Sequence, residues 1–124
     1  MDSSESTKAD LELALAVILV DLASTDEAFD PSEYEVISRG LKEVFGTTKD
    51  RVQQLVNQSR QILESLRGTN KYTNMLRDNL NNTEKKEILA IIDDLIAADG
   101  KEDPFEVYMK SRIAKALGFE VEPD

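Results

Sequence analysis

The sequence contains no cysteine, no histidine and no tryptophan among its 124 residues. Without cysteine the chain has no disulfide, no thiolate metal ligand and no thiol nucleophile. Without histidine it lacks the usual proton shuttle near neutral pH and cannot form a Ser-His-Asp triad. These absences exclude zinc sites built from cysteine or histidine, and they leave acid–base chemistry to carboxylates, lysine and tyrosine.

Long hydrophobic runs are missing as well. The longest uninterrupted apolar run, Leu13 to Val20, has eight residues, whereas a membrane-spanning helix needs about 20. The first ten residues are acidic and rich in serine, unlike the basic start of a signal peptide. We therefore expect a soluble cytoplasmic protein, and the lack of cysteine agrees with the reducing cytosol.

Glycine and proline are scarce, and no segment shows the period-2 pattern of a strand. Apolar residues instead recur at helical spacing, which predicts six helices: about 9–24, 31–45, 48–66, 71–80, 84–98 and 104–118. The first is apolar almost all round its middle, so we expect it to be central. The prediction is an all-α fold, a compact helical bundle forming one domain over residues 9–119, with short tails at 1–8 and 120–124.

The net charge is −10, and it is unevenly distributed. Residues 1–46 hold 11 acids and 3 bases, and residues 83–124 hold 11 acids and 6 bases. Residues 47–82 between them hold 3 acids and 6 bases. An acidic chain is a poor match for nucleic acid, because phosphate backbones require lysine and arginine.

The two acidic ends are related by an internal repeat. A shift of 73 residues aligns nine identical residues between positions 21 and 42 with positions 94 to 115. Each copy reads as an apolar helix, then Asp-x4-Asp-x3-Asp-Pro-x-Glu, then an amphipathic helix. We interpret this as a duplicated helix–loop–helix unit, with copies at about 14–46 and 88–118 joined by linker helices at 48–80. Such hairpins commonly pack about a pseudo-two-fold axis, which would bring the two acidic loops together.

The acidic loops have two interpretations. Asp30 and Asp103 each precede a proline and a glutamate three residues on, as expected of helix caps. Capping does not explain Asp26 and Asp99, because the carboxyl end of a helix is already negative. Asp21 and Asp94, one turn earlier, raise the same question. Crowded carboxylates are destabilising unless a cation is present. Calcium or magnesium is the simplest such cation, and a solvated acidic face is the alternative.

The second copy, residues 96–106 (IAADGKEDPFE) followed by 113–119 (IAKALGF), resembles the TerB-like tellurite-resistance proteins. The first copy is similar to the N-terminal repeat of that family, although Glu27 stands where the family has glycine. The resemblance covers about residues 9–119. It implies an all-helical fold with pseudo-two-fold repeats, and an acidic surface site for a divalent metal. The metal-ligand candidates are Asp26, Asp30, Glu33, Asp99, Asp103 and Glu106.

These features suggest two binding functions and argue against a third, catalytic one. The leading hypothesis is a TerB-like cytosolic module that binds calcium or magnesium through its duplicated loops, in a tellurite-resistance, stress or regulatory role. The alternative is a metal-free protein–protein interaction module that docks a basic partner on its acidic face. An apolar contact patch could also form from Tyr34, Phe105, Tyr108 and Met109, but their positions favour burial. We expect no enzyme activity and no organic cofactor, because a small helical bundle offers little room for a deep pocket.

Overall fold

A computed structural model describes residues 7–23, 31–65, 70–98 and 104–119, the side chains of 104–107 and 109 excepted. The described residues form six helices and no strand, which confirms the all-α prediction. The helices are α1 (Lys8–Ala23), α2 (Pro31–Phe45), α3 (Lys49–Ser65), α4 (Asn70–Asn79), α5 (Asn82–Ala97) and α6 (Pro104–Ala116). Each boundary falls within two residues of its predicted position.

Helix α1 is the central element, as its composition predicts. Every residue from Ala14 to Val20 is buried, so the helix is covered on all sides. It packs against α2, α3, α4 and α5, and its neighbours contribute the apolar stripes of amphipathic helices. Because burial of each large aliphatic side chain contributes about 1.5–3 kcal/mol, this helix supplies much of the hydrophobic stabilisation.

A polar network fixes the start of α1 to the connection between α2 and α3. Glu12 is only 7% exposed. Its carboxylate accepts a hydrogen bond of 2.6 Å from the Thr47 hydroxyl and lies 3.7 Å from the Arg51 guanidinium. A carboxylate at this depth is tolerated because both its hydrogen bond and its counter-charge are supplied.

Glycine residues terminate two of the helices. Gly46 follows α2 with a φ of +71°, and Gly118 follows α6 with a φ of +102°. Both angles lie in the left-handed region that favours glycine, as in a helix C-terminal cap. A capping box is also present at the start of α5: Asn81 accepts from the amide of Glu84, whose side chain accepts from the amide of Asn81.

Helices α2 and α5 approach each other closely and run antiparallel. Residues near the start of α2 contact the end of α5, and residues further along α2 contact earlier turns of α5. At the crossing, a Cβ atom on Gly40 would lie 2.7 Å from Cγ2 of Ile91. The glycine therefore permits the close approach that sets the position of the two helix ends described below.

Among the described residues, no helix is both long and apolar enough to cross a membrane.

Candidate functional site

The candidate site lies where α2 begins and α5 ends. The hydroxyl of Ser32, in the first turn of α2, donates a hydrogen bond of 3.1 Å to the carbonyl oxygen of Ala98. These residues are 66 positions apart, and the bond is partly buried. In the sequence, the acidic segment 24–30 ends immediately before α2, and the acidic segment 99–103 starts immediately after Ala98. The two helix ends that adjoin the acidic segments are therefore in contact.

Glu33 is the one predicted metal ligand whose side chain the structure describes. It is only 7% exposed, although it lies in the first turn of α2. A carboxylate there is favoured by the positive end of the helix dipole. Four other predicted ligands lie outside the described residues: Asp26, Asp30, Asp99 and Asp103. For the sixth, Glu106, only the backbone is described. No group of three or more potential metal ligands occurs among the described side chains.

Asp94 is paired with a positively charged side chain, so the interpretation that this carboxylate requires a metal ion is corrected. Its Oδ2 lies 3.1 Å from Nη2 of Arg39, and the same guanidinium is 4.0 Å from Glu43. The pair links α5 to α2 at a point one turn before Ala98 on α5 and about two turns after Ser32 on α2. Sequence comparison of the repeats aligns Asp94 with Asp21 and Arg39 with Arg112, but it does not reveal that the pair forms between copies.

Asp21 behaves differently from its repeat counterpart. It lies half-buried in the last turn of α1, and no described residue pairs with it. Burial raises the pKa of its carboxyl above the ordinary value of 3.8, because the charged form loses hydration. The sequence suggests crowded carboxylates as the cause of unfavourable charge here, whereas the cause of the raised pKa of Asp21 is desolvation.

Asp93, next to Asp94 on α5, forms an ion pair that is not predicted from the sequence. Its carboxylate contacts Nζ of Lys110 on α6, so two consecutive aspartates join α5 to α6 and to α2. The repeat gives no signal for this pair, because the residues that match Asp93 and Lys110 in the first copy are Val20 and Ile37.

The predicted burial of the aromatic residues is only partly correct. Tyr34 is half-buried against the core, as expected. Tyr108 is 58% exposed, so its predicted burial is wrong. Its helix presents that position outwards and directs Ile113 inwards instead, and Leu117, directly after the helix, is buried as well. Phe105 and Met109 lie in α6, but their side chains are outside the described set.

A comparison with family sequence models shows which family the chain belongs to. The sequence model of the family described as "Tellurite resistance protein TerB" matches residues 12–122, nearly the whole chain. The chain belongs to the TerB family. The match confirms the resemblance that the two repeat motifs indicate. The all-helical bundle agrees with a TerB domain. Neither the comparison with curated proteins nor the comparison with solved structures yields a match.

Proposed function

We propose that this TerB domain is a cation-responsive helical module that binds calcium or magnesium where α2 begins and α5 ends. The ligands would come from the two acidic segments, Asp26, Asp30 and Glu33 from one copy and Asp99, Asp103 and Glu106 from the other. The observation that carries the proposal is the hydrogen bond between Ser32 and Ala98.

The chemistry of the candidate ligands supports a hard divalent cation. All six are carboxylates, and calcium takes 6–8 oxygen ligands while magnesium takes six, several of them from water. Glu33 adds a carboxylate at the described edge of the site that is largely shielded from water. There the attraction between a cation and a carboxylate is screened less than on an open surface.

The cation would act by relieving repulsion. Carboxylates from two segments that leave adjacent helix ends repel each other, and a bound ion turns that repulsion into a bridge between the copies. Ions that bind only the folded state also stabilise it by mass action. The domain would thereby report ion concentration as a change in the rigidity and charge of one end of the bundle. A part in a stress or tellurite response is the biological role we propose for that signal.

Thermal unfolding with and without ions tests this function. In the presence of a chelator the melting temperature should be lowest, and calcium or magnesium should raise it. A hundredfold excess of ion over Kd should add about 2.7 kcal/mol to the free energy of unfolding. The double substitution Asp26→Asn and Asp99→Asn should remove the ion-dependent part of the shift.

A matched variant separates site chemistry from overall charge. Asp50→Asn with Glu64→Gln removes two exposed carboxylates from α3, so it changes the net charge equally without touching the proposed ligands. This variant should keep the full ion-dependent shift. If millimolar ion leaves the melting temperature of the unmodified chain unchanged, the proposal is wrong. A metal-free interaction module would then be the better account.

A further inference from the structure

One face of α6 combines an exposed aromatic ring with two positive charges. The residues are Tyr108, Arg112 and Lys115, which we call the α6 face. Their spacing of four and three residues places them on one side of the helix. Tyr108 is 58% exposed, and the two cationic side chains are exposed as well. The Arg112 guanidinium lies over the tyrosine ring at 6.0 Å from its centroid.

The repeat shows how unusual this face is within the molecule. The corresponding positions on α2 are Glu35, Arg39, Lys42 and Glu43, which carry two charges of each sign. In the second copy both basic residues are retained, but the glutamates are replaced by Tyr108 and Ala116. A face with balanced charge in one copy is therefore cationic and aromatic in the other.

The two matched arginines also differ in their contacts. Arg39 lies within ion-pair distance of Glu43 and Asp94. Arg112 has no carboxylate within that distance among the described residues, and its recorded contact is the Tyr108 ring. Stacking on an aromatic ring holds a guanidinium in place while its edge keeps donors for a carboxylate. Tyrosine and arginine are also the residue types enriched at the energetic centres of protein interfaces.

We propose that the α6 face docks an acidic peptide segment of a partner protein. Arg112 would bind one carboxylate through two parallel N–H donors, and Lys115 would bind a second. The Tyr108 ring, at the other end of the α6 face, would pack against an apolar side chain that precedes or follows the two acidic residues. A long phosphate backbone fits less well than a short peptide, because its charges extend past the two cations of the α6 face and meet a chain of net charge −10. None of the three residues of the α6 face is among the proposed cation ligands, although Glu106 lies on the same helix.

The test is an NMR titration of the full-length chain in chelator with a synthetic Glu- and Asp-rich octapeptide that contains one leucine. The expected result is a set of chemical-shift changes centred on the α6 face that weaken as salt increases. Arg112→Gln with Lys115→Gln should reduce the affinity about tenfold. The matched control, Arg39→Gln with Lys42→Gln, removes the same charges from α2 and should leave the affinity unchanged.

Several outcomes would overturn the proposal. One is the absence of α6 shifts, and another is an equal loss of affinity in the control variant. Tighter binding of a single-stranded oligonucleotide would assign the face to nucleic acid. Shifts that depend on protein concentration alone would assign it to a second copy of the chain. Shifts caused, without peptide, by neutralising Glu120, Glu122 and Asp124 would show that the chain's own acidic residues occupy the face.

Discussion

At the scale of single residues, environment separates side chains that the sequence treats as equivalent. Asp21 and Asp94 occupy matching positions in the two copies, but only Asp94 has an arginine beside it. Asp21 is half-buried near the carboxyl end of α1, where both desolvation and the helix dipole disfavour its charge. The same residue type is therefore a neutral-to-favourable surface charge in one copy and a destabilising one in the other.

This difference predicts a pH-dependent effect of Asp21→Asn. Because the pKa is raised in the folded state, the protonated form favours folding, and that contribution is lost as the pH rises through the folded-state pKa. The substitution should thus increase the free energy of unfolding at pH 7, and the gain should disappear at a pH below the ordinary value of 3.8. Urea unfolding in chelator at several pH values measures it.

Asp94→Asn is the matched control for this measurement. It removes an exposed ion pair with Arg39, which contributes at most about 1 kcal/mol. The control should therefore leave stability at pH 7 unchanged or slightly lower. A gain for Asp94→Asn equal to that for Asp21→Asn would show that general charge repulsion, and not burial, is the cause.

At the scale of elements, the number, type and approximate ends of the helices follow from the sequence. Helical periodicity is a local signal, and the helices that it predicts are confirmed. The asparagine cap before α5 and the glycine after α2 are local signals of the same kind. The cross-copy contacts of Ser32 and Arg39 are not local, because they depend on how α2 and α5 cross. No spacing within one helix encodes that crossing, so the contacts that join α2 to α5 at the candidate site could not be predicted from the sequence.

Gly40 is the residue that permits the crossing, which gives a second prediction. Alanine is preferred over glycine in a helix by about 1 kcal/mol, but its Cβ would meet the Ile91 side chain at 2.7 Å. Overpacking of this kind typically costs about 1–3 kcal/mol. Gly40→Ala should therefore lower the free energy of unfolding by about 1 kcal/mol, as measured by urea denaturation.

The Ile91→Ala background provides the control, because it removes the atoms that the new Cβ would meet. There Gly40→Ala should raise stability, since only the gain in helix propensity remains. The double-mutant cycle should show a coupling between the two sites. Additive effects would mean that α2 and α5 do not approach each other at Gly40.

At the scale of the whole molecule, the charge of −10 resolves into distinct features. Part of it lies in two acidic segments that adjoin helix ends in contact with each other. Part of it is already neutralised, by Arg39 and Lys110 on either side of α5. One helix face, on α6, has the opposite character. We propose that a TerB domain with this distribution binds a cation at one end and an acidic partner on α6.

The most direct test of the central claim is a crystal structure of the full chain grown in calcium, with the ion identified by its anomalous signal. The account predicts a calcium ion between the start of α2 and the end of α5, bound by carboxylates of both copies. Calcium bound elsewhere, or no ion between these helix ends at millimolar calcium, would contradict it.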